Sequence, residues 1–317
     1  MKTNEINECE SILKQLIDRA ILDSVKLTFH MCRDKKNYPQ EPDFVAALSL
    51  NFSKDLFNIL RVLFPHYNLS VTGVYCHQKP LVDIGAIKKP EIGDILFVFR
   101  DRSYSADRFN SLLFQAKITN ERIFTIRPEE HQLKLYKEWP EFTYHRAGKL
   151  NGQKRDILPK TINDGAQYLL IDNNPLSNGL CGVPGTFPIG CAVANNTLVL
   201  NNSLADEIFD FLKFKSGRAF ERLHTGLKDD WSKMIWDLMT MSKSIASHRN
   251  NAGLKSFPRA NEYVFHSTGG SKYNSLYFDL HSNDSYPNSK YYEGENEGQN
   301  EGVSIVLIES GQMQMEE

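Results

Sequence analysis

Apolar residues recur at helical spacing over 5–34, at Ile12, Leu13, Leu16, Ile17, Ala20, Ile21, Val25 and Leu27, which predicts an N-terminal helix with a frayed or broken end. A second helix is signalled from Glu41, where Pro42 suits a first turn and the acids Glu41 and Asp43 favour the positive end of the dipole. It is predicted to run, in one piece or two, to about Phe64. The period then shortens. Residues 69–76, 92–99 and 112–118 are brief runs of Val, Ile, Leu and Phe separated by turn residues, and they predict three adjacent strands of one sheet. Residues 129–139 predict a helix closed by Pro140, and 166–171 a buried strand ended by Asp172-Asn173-Asn174-Pro175.

Beyond these, 189–200 predicts a strand or hairpin, 204–214 a helix before Ser216-Gly217, and 229–245 an amphipathic helix carrying Trp231, Ile235, Trp236, Leu238 and Met239. Residues 282–302 are rich in Asn, Glu, Gly and Ser and predict a flexible insertion, because 303–308 is again a strong strand signal. The expected organisation is an α/β domain over 1–281 with an N-terminal helical part and a core at about 41–172. The insertion over 282–302 and a terminal strand and tail over 303–317 follow it. A mixed central sheet flanked by helices is the expected architecture.

Composition changes this picture little: 317 residues, 41% apolar and 11% aromatic, are ordinary for a globular chain with a large core. No apolar run suggests a signal peptide or membrane span, so a cytoplasmic location is expected. Five cysteines without paired C-x-x-C motifs support neither structural zinc nor a disulfide framework, leaving free thiols as the expectation. The net charge of -2 argues against a sequence-blind coat for nucleic acid but not against a local basic groove. Charge is in fact segregated: residues 117–160 hold ten Lys or Arg against six acids, whereas 281–317 hold eight acids against Lys290 alone.

Chemistry concentrates at Glu91-Ile92-Gly93-Asp94-Ile95 and, twenty residues after Asp94, at Phe114-Gln115-Ala116-Lys117. Both polar sets interrupt apolar strands, so each side chain needs a partner or a ligand. Two residues apart on a strand, Gln115 and Lys117 share one face. Phosphodiester hydrolysis asks for a carboxylate to hold Mg2+, a second oxygen ligand and a cation to orient water and stabilise charge. Asp94, Gln115 and Lys117 supply these in turn, and the Ala116 carbonyl is a further candidate ligand.

The arrangement resembles the PD-(D/E)xK, or restriction-endonuclease-like, nucleases over about a third of the chain. Gly93-Asp94 matches the first half of their motif and Gln115-Ala116-Lys117 the Gln variant of the second, while Glu41 or Asp43 fits the acid on the preceding helix. The resemblance implies a metal-dependent nuclease acting on DNA with Mg2+, for which Mn2+ can substitute. Gln132 and Tyr136, four apart on one helix face, would orient the site. The ending Gln132-Leu133, Leu135-Tyr136, Trp139-Pro140 is similar to that of uncharacterised bacterial proteins of this type, which implies a role in defence against foreign DNA. Partners implied are DNA, a further copy of the chain or a defence-system protein. Neutral Gln115 departs from the acidic pattern and keeps open a catalytically silent nucleic-acid- or protein-binding subunit on the same fold.

Plainer readings stand beside these. Asp94 could cap the turn after Gly93, Lys117 could be a solvated strand end, Gln132 an exposed helix residue, and Glu41 a dipole-favouring acid with Asp43 and Asp55 as competitors. His77 could touch phosphate or be structural. His131, His145, Arg146, Lys149, Lys154 and Arg155 could line a phosphate groove or form a solvated face.

Overall fold

The computed structural model describes residues 1–34, 38–76, 80–119, 121, 123–126, 131–160, 165–172, 188–200, 202–247, 265–268 and 302–312. Helices α1 (Thr3–Glu8) and α2 (Glu10–Asp34) are separated at Cys9, the break that the apolar pattern signalled. Helix α3 (Glu41–Ala47) opens on a capping box in which the Gln40 amide donates to Asp43 Oδ2 at 2.9 Å. It continues through a π turn (Leu48–Phe52) into α4 (Ser53–Leu63).

Strands β1 (Tyr67–Val74), β2 (Leu81–Asp83), β3 (Ile95–Arg102), β4 (Arg108–Ile118) and β5 (Ile123–Thr125) follow. Next come α5 (His131–Glu138), β6 (Phe142–His145), β7 (Lys154–Arg155), β8 (Ala166–Ile171), β9 (Ile189–Ala192), β10 (Thr197–Val199) and β11 (Asn202–Ser203). The chain closes with α6 (Leu204–Leu212), β12 (Arg218–Ala219), α7 (Asp230–Ser247), β13 (Phe265–Thr268) and β14 (Ser304–Gln312).

The main sheet has nine strands in the order β11-β9-β8-β4-β3-β14-β1-β13, with β12 pairing beside β8 along β4. It is mixed: β4 with β8 and β3 with β14 are parallel, the other pairs antiparallel. Alternation along the central strands feeds two cores. Ile95, Phe97, Phe99, Leu112, Phe114 and Ala116 face α2, α3, α4 and α6, while Leu96, Val98 and Leu113 face α5 and α7. Covered on both sides, the central strands read as nearly unbroken apolar runs. The protein is thus an α/β fold with a mixed sheet between two helical layers.

Two sequence expectations change. The strands over 69–76 and 92–99 are not neighbours, because β14 lies between them, parallel to β3 with Ser304 opposite Ile95 and antiparallel to β1. Its residues are apolar on both faces, with Ile305 and Leu307 in one core and Val306 and Ile308 in the other, so the sheet interior is where β14 buries most surface. The segment 189–200 forms no hairpin. Buried β9 joins the main sheet, whereas β10, with Val199 exposed, pairs with β5 in a separate two-stranded ribbon. A third sheet, β2-β6-β7, sits beside the start of β3 through a bridge between Leu81 and Glu91. The residues expected to form the flexible insertion, 282–302, lie almost wholly outside the described residues. Among the described residues no helix is long and apolar enough to cross a membrane.

Candidate functional site

The pairing of β3 with β4 builds the site. Ile95 stands opposite Phe114, so the register carried one residue back sets Asp94 opposite Gln115, with the Asp94 amide donating to Phe114 O at 2.8 Å. Gln115 Nε2 donates to Asp94 Oδ2, and the Ala116 amide donates to the same oxygen at 2.7 Å. It is the Ala116 N–H that meets the acid. Two residues on, and on the same face, Lys117 Nζ donates to Gln132 Oε1 at 3.0 Å across to α5.

Gly93 and Tyr136 set the angle at which Asp94 arrives. Tyr136, fully buried and stacked on Trp139, donates its hydroxyl to Ile92 O at 2.9 Å. A Cβ at position 93 would lie 2.7 Å from Leu113 Cδ1 and 2.8 Å from Tyr136 Oη, so glycine lets the chain pass these two side chains without displacing them. Helix α3 approaches from the opposite layer. Its first residue, Glu41, accepts the Ile118 amide at 3.2 Å, which brings its carboxylate to the strand end just past Lys117. Of the competing acids, Asp43 is engaged by the cap of α3, and Asp55 lies on α4 in the electrostatic neighbourhood of Asp23 and Lys54.

Electrostatics at this corner is crowded with one sign. Asp94 belongs to a half-buried residue, yet its carboxyl is enclosed: burial first, then the neighbouring Glu91, push its pKa up to about 8. Glu91 itself is raised by burial, partly opposed by Lys117, and raised further by Glu41. Glu91 was not singled out by sequence reasoning. Its signal was an acid between Pro90 and Ile92, three residues before Asp94.

Among the described residues Gln115 Oε1, on a residue only 3% exposed, accepts no hydrogen bond. A buried amide oxygen left bare costs roughly 1–3 kcal/mol unless a donor or cation reaches it. Turning the amide over would aim that oxygen at Asp94, which is favourable only with a cation between the two. Among the described residues no three His, Cys, Asp or Glu side chains are gathered in an arrangement that could hold a metal. Of the residues expected to hold Mg2+, the structure brings the Asp94 carboxylate and the Gln115 amide together, with Glu91 and Glu41 in the electrostatic neighbourhood of Asp94.

The expected phosphate groove is only partly assembled. Arg155 is drawn inward, its guanidinium bonding Asp237 Oδ2 at 2.7 and 3.1 Å with both side chains largely buried, so it is removed from any solvent-facing groove. Lys154 is exposed and paired with Glu141 at 2.9 Å. His145, Arg146 and Lys149 are exposed around the end of β6, His131 is half-buried at the start of α5, and His77 lies outside the described residues. Of the cysteines, Cys9, Cys32, Cys76 and Cys191 form no disulfide among the described residues, and Cys181 lies outside them. No family model, curated protein or solved structure matches the chain.

Proposed function

We propose that the chain is a metal-dependent nuclease that hydrolyses DNA phosphodiester bonds, of the PD-(D/E)xK type, with a role in defence against foreign DNA. The observation that carries the reading is the opposition of Asp94 and Gln115 across β3 and β4, with a buried, unpartnered amide oxygen and an ammonium on the same face. Asp94 and Gln115 Oε1 would hold Mg2+, and Mn2+ could take its place. The ion, when bound, supplies positive charge at the phosphate and acidifies water.

The protein's own groups do the rest. Lys117, held by Gln132, presents a positive charge to a non-bridging phosphate oxygen and steers the attacking water. Tyr136 and Gly93 fix the approach of Asp94 to the strand. Glu41, tied to the Ile118 amide, keeps a carboxylate beside Lys117. His145, Arg146 and Lys149 would meet the phosphate backbone as it leaves the site.

A second reading, a catalytically silent binding subunit on the same fold, is favoured by one fact: the Gln115 amide already satisfies Asp94 without a metal. Incubation of plasmid and linear DNA with Mg2+, Mn2+ or chelator, alongside Lys117→Ala, separates the two. Cleavage that needs the cation and vanishes in folded Lys117→Ala is the expected result. Retained DNA binding with no cleavage under any cation would establish the silent subunit.

A further inference from the structure

Charge balance at the Asp94 corner leaves a question that the pair alone does not answer. A divalent cation held by one carboxylate and a neutral amide retains a net positive charge, and Lys117 adds another nearby. A buried site with that surplus binds its ion weakly unless further carboxylates face it. Glu41 has one oxygen engaged by the Ile118 amide. Glu91 is different. It is half-buried, and among the described residues its carboxylate takes part in no hydrogen bond or ion pair.

Backbone geometry fixes Glu91 in place from both sides. The bridge to Leu81, the Val82 amide donating to Pro90 O at 2.9 Å and the Ile92 amide donating to Pro80 O at 3.1 Å tie it to β2. Tyr136 anchors the next residue through Ile92 O. From there the chain needs only Gly93 to reach Asp94. The backbone at Glu91 is thus held, and its carboxylate makes no bond among the described residues. Gln115 Oε1, on the residue opposite Asp94, is likewise without a hydrogen bond among the described residues.

We propose that Glu91 is the second acid of the cation site, carrying from the neighbouring turn the negative charge that Gln115 does not carry on the strand. The inference rests on the metal-dependent reading and assigns its charge. Charge at 91 and charge at 115 should then be interchangeable.

The test is Mn2+ binding to the full chain, by calorimetry and by the electron paramagnetic resonance signal of free Mn2+, with thermal melts confirming folding. Glu91→Gln is expected to weaken binding about tenfold or more, Glu91→Asp to retain most of it, and Glu91→Gln combined with Gln115→Glu to return to within about threefold of the parent. Parental affinity in folded Glu91→Gln would overturn the assignment while leaving the nuclease reading intact. Weakened binding that Gln115→Glu does not restore would overturn the exchange of charge between the two positions. A parent chain that binds no Mn2+ would remove the assignment and the metal-dependent reading together. Should Glu91→Gln not fold, Glu91→Asp and Gln115→Glu decide: unchanged Mn2+ affinity in both would overturn the proposal.

Discussion

Strand β3 buries charge at both ends, and the two ends are built on opposite plans. At the far end, Arg100 bonds Asp107 at 2.7 and 2.9 Å and Glu309 at 3.3 Å, and Ser70 donates to Glu309. Next to it Asp101 accepts Arg108, Ser103, Ser310 and the Met1 ammonium. Each buried charge there has opposite charge on it. At the near end Asp94, Glu91 and Glu41 gather around the ammonium of Lys117, and Gln115 Oε1 has no hydrogen bond among the described residues. The first plan is what a fold does with charges it must keep inside. The second gathers acids of like charge and holds a proton on Asp94 up to about pH 8, and that asymmetry sets the near end apart.

The largest effect expected from breaking the near end is on chemistry. Lys117→Ala and Asp94→Asn should each lower DNA cleavage by about 10^3-fold or more, equivalent to roughly 4 kcal/mol of transition-state stabilisation. Urea denaturation should show stability within about 1 kcal/mol of the parent for Lys117→Ala. Full activity in either folded variant would show that the near end is not the reacting site.

The far end should respond in the reverse sense. Arg100→Met strands the carboxylate of Glu309, whose side chain is 1% exposed, and should destabilise by about 3–5 kcal/mol with little change in cleavage per folded molecule. Adding Glu309→Gln should recover part of the loss. A chemical-denaturation midpoint that does not move would show that the cluster is incidental to stability.

Opposite pH slopes are expected next. Burial alone would raise the Asp101 carboxyl, but the Met1 ammonium and Arg108 hold it below the ordinary value. Its contribution is therefore complete above the unfolded carboxylate pKa and is lost as pH falls through the lowered folded pKa. Asp94, raised to about 8, works the other way: the folded state holds a proton that the unfolded chain has released, so stability declines as pH climbs from about 4 through about 8. Denaturation across pH in chelator should show both slopes, with Asp101→Asn flattening the acid side and Asp94→Asn the alkaline side. Smallest of all, Tyr136→Phe should lose about 1 kcal/mol, the worth of the bond to Ile92 O, and lower cleavage modestly by loosening the turn before Asp94. An unchanged rate would limit Tyr136 to packing.

The near end was legible in the sequence because its logic is local. A period of two places Gln115 and Lys117 on one face, and polar residues interrupting apolar strands are visible without coordinates. Helices α2, α5, α6 and α7 were legible through their apolar spacing, and α3 through Pro42 and its first-turn acids, for the same reason. What escaped was non-local. Nothing within 303–308 says that β14 lies between β1 and β3, since an apolar run shows strand character without naming its neighbours. Arg155 looked like its basic neighbours because its partner, Asp237, is 82 residues away. Glu91 escaped because nothing in the sequence ties it to Leu81, whose bridge holds its backbone.

The place of β14 also imposes an order in time. Its Ser304 amide donates to Asp94 O at 3.0 Å, so the backbone of the site acid is fastened by a strand made about 200 residues after β3 leaves the ribosome. At roughly 5–20 residues per second that interval lasts on the order of 10–40 s, during which the facing edges of β1 and β3 stand open to other strands. A nascent chain that has paired β3 with β4 therefore still lacks the bond that fastens the backbone of Asp94 until the last strand of the sheet is in place. Products ending before Ser304 should appear in the insoluble fraction on expression, because they present two long apolar edges with nothing between them.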